Sequence, residues 1–463
     1  MDIIMLKRNY EIDMCRGPLA GKVLLFSLPL ILSGILQLLF NAADLIVVGK
    51  FAGDVADQAL AAVGATGSVT NLLVGLFTGL ATGANVLVAK LYGAGDREKL
   101  RQSVHTAITV AFISGVLLVG IGLLVARPLL EWMDTPADVI DMAELYMRII
   151  FFGMPANMLY NFGAAILRSI GDTRRPLYFL LIAGALNVVL NLFFVIACGM
   201  NVDGVALATV MSQVLSAVLV LLCLFRMDGP CKLSLRHLGI HRDAVLKIAQ
   251  VGLPAGLQGC IFSISNVLIQ SSINSYDSLA MAGSTAASNI EGFIYISMNA
   301  VYQAALSFTS QNFGAKQYRR INRVLVSCAL LVSCVGLLMG AAAMLLKRPL
   351  LYLYTDDPRV VDFGVLRMDV IMLTYFLCGL MEVLTGMMRG IGYSVLPMIV
   401  SLAGACGLRI LWLYTIYAAH PTLTVLFLSY PVSWLITAFV HAVCFFFARR
   451  RLPKENEPLV DAA

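Results

Sequence analysis

The spacing of charged residues constrains this chain more than any motif it carries. Between Asp57 and Lys90 lie 32 residues without one Asp, Glu, Lys or Arg, and similar gaps run Pro176–Val202, Gly204–Phe225, Ile248–Tyr276 and Val324–Leu346. A helix needs about 20 apolar residues to cross about 30 Å of hydrocarbon, so each gap accommodates a span. Reading the gaps along the chain predicts twelve spans, centred near Gly34, Leu73, Gly115, Pro155, Val189, Leu215, Ser263, Phe293, Ser333, Leu377, Leu402 and Trp434. Composition agrees: 13% of the 463 residues are charged, against about a quarter in a soluble chain. A transmembrane barrel would need shorter, alternating segments, and no such alternation is present.

Lys and Arg set the orientation. With the N-terminus inside, the inner segments hold 25 of the 33 basic residues, the outer loops and span edges hold seven, and Arg409 lies within a span. An excess of this kind marks the cytoplasmic side, so both termini are expected in the cytoplasm and the chain in the plasma membrane. Topology then accounts for the net charge of +6, and no nucleic-acid partner is expected. The ten cysteines are scattered without a CxxC pair, as packed thiols would be. His237 and His241 have no Cys, Asp or Glu constellation to complete a metal site. No GxSxG, Walker loop or HExxH is present, and neither catalysis nor a cofactor is expected. The first apolar run is too long for a removable signal and lacks a small-residue cleavage site.

The chain repeats at an offset of 221 residues. Gly93-Ala94 recurs as Gly314-Ala315, Arg127-Pro128-Leu129-Leu130 as Arg348-Pro349-Leu350-Leu351, Arg168-x-Ile170-Gly171 as Arg389-x-Ile391-Gly392, and Pro176 as Pro397. Each half has six spans, so both enter from the same side, an arrangement found in transporters. The fold class expected is an all-α membrane protein, with twelve transmembrane helices in two six-helix lobes. The corresponding boundaries are a cytoplasmic segment 1–22, an N-terminal lobe 23–225, a linker 226–243, a C-terminal lobe 244–448 and a tail 449–463.

Ionisable residues inside spans are costly, and are normally paired or functional. Four stand out: Asp44, Glu291, Glu382 and Arg409. Asp44 either lies deep in the first span or ends it early as a solvated residue. Pro29 in the same span is either a rocking hinge or a passive kink. Asn187 and Asn191 are four apart and share a helix face. With Thr209 they form an oxygen-rich pocket around Asp44, or satisfy separate interhelical hydrogen bonds. Arg409 is expected to pair with Glu382 or Glu291, which leaves one glutamate to meet a cationic substrate or a proton.

Several segments resemble the multidrug and toxic compound extrusion (MATE) family. They are Gly17-Pro18-Leu19, Leu28-Pro29, Phe40-Asn41-Ala42-Ala43-Asp44-x-x-Val47-Val48-Gly49, Leu167-Arg168-Ser169-Ile170-Gly171-Asp172-Thr173 with its echo at Met388–Gly392, and Gly204-Val205-Ala206-Leu207-Ala208-Thr209. The resemblance covers residues 17–448. It implies a cation-coupled antiporter that exports organic, often cationic, compounds, driven by H⁺ or Na⁺. It also implies that Asp44, Asn187 and Thr209 build a cation pocket, and that Gln37 and Asn161 line a cavity; Glu291 and Glu382 match no family position and join the substrate cavity as candidates on their charge alone. The departure is Asn191, where many relatives carry Asp. A single carboxylate suits a proton better than a dedicated Na⁺ site, because hard cations favour anionic oxygens. The partners expected are small organic molecules and the bilayer, with the chain working as a monomer. The alternative is a lipid-linked saccharide flippase of the same superfamily, which needs a cationic cavity, whereas the spans read as three acids against one arginine. A membrane enzyme would need a sizeable catalytic loop, and a channel a filter-like segment; neither is present.

Overall fold

The computed structural model describes residues 10–51, 56–133, 135–274 and 276–453. Asp134, which the Lys and Arg asymmetry puts on the outer side, lies outside the described residues. Helices α1 (Leu19–Phe51), α2 (Ala56–Ala94) and α3 (Arg97–Trp132) lead into α4, which is two segments, Ile140–Phe152 and Met154–Ser169. Next come α5 (Arg174–Leu192, extended by a π-turn Phe193–Ala197), α6 (Val202–Arg226), α7 (Arg242–Asn274), α8 (Ser278–Gly314) and α9 (Tyr318–Leu345). Two segments, Pro358–Ile371 and Phe376–Gly390, make α10; Val395–Ser401 continues through π-turns to Tyr417 as α11; and α12 is Leu423–Arg450. No strand occurs among the described residues.

These twelve correspond one for one to the charge gaps. Among the described residues nine helices are individually long and apolar enough to cross a bilayer, and the bent pairs α4 and α10 make eleven. The remaining one is α8, which is 37 residues long. Its second half carries Ser307, Thr309, Ser310, Gln311 and Asn312, all buried. Several of these return hydrogen bonds to their own helix, such as Ser310 Oγ to Leu306 O (2.7 Å) and Asn312 Nδ2 to Phe308 O (2.7 Å). A helix shielded by protein need not be hydrophobic all round.

The internal repeat extends to backbone geometry. Helices α4 and α10 bend by 48° and 45° at equivalent breaks. Arg127 pairs with Asp141 (2.6 Å) and Arg348 with Asp362 (2.8 Å), so both partners recur at the same offset. The repeated Arg-x-Ile-Gly closes each bent helix with a left-handed glycine, Gly171 (φ 96°) and Gly392 (φ 104°). The Schellman bonds match as well: Asp172 N to Leu167 O and Tyr393 N to Met388 O are both 2.9 Å. Helices α2 and α8 end in matching turns, at Gly95 (φ 72°) and Lys316 (φ 58°).

Among the described residues, contacts cluster into two units, 10–12 with 32–256, and 13–31 with 257–453. They differ from the expected lobes 23–225 and 244–448 because α1 and α7 are each divided. The first half of α7 belongs with α2, since a Cβ on Gly256 would lie 2.4 Å from Leu76 O and one on Gly83 would lie 2.1 Å from Ile248 O. Gly79-xxx-Gly83 facing Gly252-xxx-Gly256 allows this backbone contact. The linker also docks in the first unit: His105 Nε2 accepts from Ser234 N (3.0 Å), and Thr106 Oγ1 lies 3.1 Å from His241 Nδ1. The linker histidines thus pack against α3. In the second unit, Phe26 of α1 meets Phe308 of α8 edge-on at 5.5 Å. The ten cysteines form no disulfide among the described residues.

The turn comparison predicts that Lys316→Gly stabilises the protein. A left-handed L-residue costs about 1–2 kcal/mol, and glycine gives back about 0.5–1 kcal/mol through the unfolded chain. A thermal melt should therefore show a small gain for Lys316→Gly and a loss for Gly95→Lys. A lower melting temperature for Lys316→Gly would mean that the turn is unstrained.

Candidate functional site

Helices α1 and α5 run side by side in the first unit, and their contact brings the polar residues of α5 to Asp44. Gly184 receives the ring of Phe40, so closely that a Cβ there would lie 1.8 Å from Phe40 Cε2. One turn beyond Phe40 on α1 is Asp44, and one and two turns beyond Gly184 on α5 are Asn187 and Asn191. Asn191 Nδ2 donates to Asp44 Oδ1 (2.5 Å) and to Asn187 Oδ1 (3.4 Å). From α6, Thr209 Oγ1 donates to Asp44 Oδ2 (3.4 Å), and Asn187 Nδ2 donates to Thr209 Oγ1 (3.4 Å).

Asp44 is buried, at 8% exposure, and Asn187 and Asn191 are buried with it. Among the described residues every partner of the carboxylate is neutral, and no Lys or Arg pairs with it. Asn191 Oδ1 is a buried acceptor left without a donor. Unpaired buried acceptors are uncommon and point to a missing partner. The cluster offers carboxylate, amide and hydroxyl oxygens to a proton or small cation. No group of three or more His, Cys, Asp or Glu suited to a metal occurs among the described residues.

Two expected cavity residues stand apart from this cluster. Gln37, about two turns before Asp44, is exposed. Asn161 turns back on its own helix, donating to Asn157 O (2.9 Å) and Asn157 Oδ1 (2.8 Å). Pro29 is buried, and α1 continues through it without a break.

In the second unit the expected ion pair is not formed. Arg409 donates to Ser433 Oγ (3.0 Å), lies 3.5 Å from Asn266 Oδ1, and stacks over Tyr430 (4.2 Å to the ring centroid). Glu291 is held instead by Arg367, through a bidentate pair of 2.7 and 2.9 Å, with Arg367 also donating to Ser284 Oγ (2.8 Å). Close packing aligns them, because a Cβ on Gly283 would lie 2.4 Å from Val360 O. Arg367 is one of the seven basic residues that the charge asymmetry places in outer loops and span edges. Glu382 is buried at 7% exposure and has no ion-pair partner among the described residues. Arg389, one of the 25 basic residues of the inner segments, is buried and donates to Tyr302 Oη (2.6 Å) and Gln258 Oε1 (2.8 Å). Arg175 is buried as well, beside Asp172 (3.2 Å). The acids Asp44, Asp172, Glu291 and Glu382 are matched by Arg175, Arg367, Arg389 and Arg409 as the buried charges. The reading of three acids against one arginine is thereby corrected to a balanced set. Sequence also missed His441, buried with Nε2 2.9 Å from Ser401 Oγ.

Comparison with known proteins places this geometry in context. The MatE family model matches residues 29–193 and 254–415, one segment in each half. "Probable multidrug resistance protein YoeA" of Bacillus subtilis is 25% identical over 393 residues, 83% of this chain and 84% of that protein. An "FAD transporter" of Shewanella oneidensis is 26% identical over 352 residues, 74% of this chain and 76% of that protein. Among solved structures, an outward-facing multidrug resistance MATE transporter of the MOP superfamily superposes with TM-score 0.88 at 23% identity, covering 96% of this chain and 99% of the other.

Two outcomes follow from the packing. Arg367→Met strands the Glu291 carboxylate and should cost about 3–5 kcal/mol; adding Glu291→Gln should recover part of it in a thermal melt. Arg409→Met should add independently to either change, and strong coupling between Arg409 and Glu291 would contradict the observed pairing. Gly184→Ala drives a methyl into the Phe40 ring and should cost about 1–3 kcal/mol. Phe40→Leu in that background should restore stability, and a neutral Gly184→Ala would show that α1 and α5 are not held by this contact.

Proposed function

This chain belongs to the MatE family, and on that premise we propose that it exports organic, often cationic, compounds by H⁺ or Na⁺ antiport, with Asp44 as the coupling residue. The observation that carries the reading is a buried carboxylate in a span that, among the described residues, is hydrogen-bonded only to neutral groups and lies beside an acceptor with no donor. A carboxylate kept for structure would have a basic partner, as Glu291 has in Arg367. Asp44 has none, so its charge is available to an ion that arrives and leaves.

Protonation or cation binding neutralises Asp44 and changes what Asn191, Asn187 and Thr209 can donate to. A ligand moves a conformational equilibrium only by binding one state better than another. Ion arrival at this cluster would favour release of substrate, and ion loss would reset the site. Alternating access of the two halves, with Pro29 as a hinge in α1, is the motion this reading assigns. With Asn at 191 the cluster holds one carboxylate, which favours H⁺ over Na⁺. Glu382 is the acid proposed to meet a cationic substrate, together with the expected cavity residues Gln37 and Asn161. Glu291 is occupied by Arg367.

The balanced buried charges leave one specific opening for the flippase alternative or for an anionic substrate. Arg409 is buried over aromatic rings, and its partners are Ser433 and Asn266 rather than an acid. The relative described as an FAD transporter makes an anionic flavin the natural comparison probe.

The test is efflux from proteoliposomes under an imposed pH gradient or Na⁺ gradient, each applied alone, with ethidium and flavin mononucleotide as probes. Ethidium efflux driven by the pH gradient is expected. Asp44→Asn fixes the neutral form and should lower efflux at least tenfold while leaving the melting temperature near the parent's. Asn191→Asp adds a carboxylate and should raise Na⁺ dependence. Normal coupled efflux from folded Asp44→Asn protein would move the coupling site elsewhere, and efflux of the flavin alone would favour the anionic reading.

A further inference from the structure

In the second unit, the start of α9 and the end of α12 enclose a groove of about 820 Å³. We propose that this groove binds the phosphate headgroup of an anionic phospholipid of the phosphatidylglycerol class. Its polar lining is basic: Arg319 and Asn322 from α9, Arg449 and Arg450 from α12, with no Asp or Glu among the described lining residues. Arg449 Nε donates to Asn322 Oδ1 (3.1 Å), which ties the two walls together. Arg450 lies 4.1 Å over the ring of Phe446, so its guanidinium is held by an aromatic face rather than by a carboxylate.

Two further features point to an anion. Tyr318 lines the groove, its side chain is buried at 1% exposure, and its hydroxyl has no hydrogen-bond partner among the described residues. A hydroxyl buried without a partner is a donor awaiting an acceptor, and a phosphate oxygen supplies one. Tyr318 also opens α9, whose first turn has no acidic residue and whose N-cap makes no side-chain bond. A helix N-terminus carries partial positive charge and favours anions, yet here it is followed by Arg319, Arg320 and Arg323. Arg320 is turned to the backbone carbonyls of Met14, Arg16 and Gly17, and a phosphate in the groove would add charge-assisted hydrogen bonds from the remaining arginines.

The remainder of the lining suits the acyl part of a lipid. Val326 of α9 and Phe446 of α12 are more than half exposed, and exposed Leu330 and Phe439 continue the apolar track along each helix. A soluble anion would use the basic end alone, whereas a phospholipid uses both. By the asymmetry of Lys and Arg along the chain this is the cytoplasmic end, where anionic lipids concentrate and basic pockets between helices hold their headgroups.

The test is native mass spectrometry and thermal melting of the full chain in detergent, titrated with dioctanoyl phosphatidylglycerol or dioctanoyl phosphatidylcholine. The parent should retain phosphatidylglycerol at least tenfold better and melt higher with it. Arg319→Gln with Arg450→Gln should remove most of that preference. Tyr318→Phe deletes one hydroxyl without disturbing packing, and should weaken retention several-fold even if the double variant does not fold. Arg348→Gln, in the segment Lys347–Tyr352 just beyond the opposite end of α9, should leave retention unchanged. Retention unaffected by both the double variant and Tyr318→Phe would overturn the proposal. Competition by inorganic phosphate at equal concentration would assign the groove to a soluble anion instead. Retention that arises only after deleting residues 454–463 would make the acidic tail the occupant and likewise overturn it.

Discussion

A bilayer interior offers no water to an unsatisfied polar group, and the charges of this protein are arranged around that constraint. Each buried arginine finds an acid, a hydroxyl, an amide or an aromatic face: Arg367 takes Glu291, Arg175 takes Asp172, Arg389 takes Tyr302 and Gln258, and Arg409 takes Ser433 and Tyr430. Removing one partner from such an arrangement is costly, so these groups hold helices in register more than they add net stability. Asp44 departs from the pattern. It is surrounded by neutral donors, and a group spared from ion pairing is one whose charge remains available for function.

Internal duplication supplied a common frame and left the chemistry of the halves free to diverge. Bends, left-handed turns and the Arg–Asp pairs recur at the same offset. The polar cluster does not recur: at that offset Asp44, Asn187, Asn191 and Thr209 become Ser265, Leu408, Trp412 and Tyr430. One of these replacements, Tyr430, together with Trp434 one turn beyond it, forms the aromatic bed of Arg409. The first half thus presents oxygens around an acid, and the second presents aromatic faces around a base. Such asymmetry suits a carrier that handles an ion and an organic molecule with different parts of one frame.

Glycine decides where helices touch closely enough for this chemistry. Gly184 admits Phe40, Gly83 and Gly256 join α2 to α7, and Gly283 brings α8 against α10 beside the Glu291–Arg367 pair. Helices in lipid gain little from burying apolar surface against each other, so close van der Waals contact through small residues is the available force. Substituting any of these positions would move polar partners apart before it exposed them to lipid.

Charge gaps, basic asymmetry and the repeat depend only on the cost of charge in hydrocarbon and on chain order, so the sequence alone carried the twelve spans, the two similar halves and the prominence of Asp44. The four apart spacing of Asn187 and Asn191 was legible for the same reason, because helical periodicity is local. What tertiary structure decided is which distant groups meet. Arg409 and Glu382 looked like partners because both sit in apolar runs, yet Arg367, hidden among the charges at the start of α10, reaches Glu291 once glycine packing rotates the helices together. Arg175 and Arg389 looked like loop charges because they flank turns, and the fold buries both. The division of α1 and α7 between the contact units is equally absent from the sequence, because it rests on helix-to-helix contacts that no local pattern encodes.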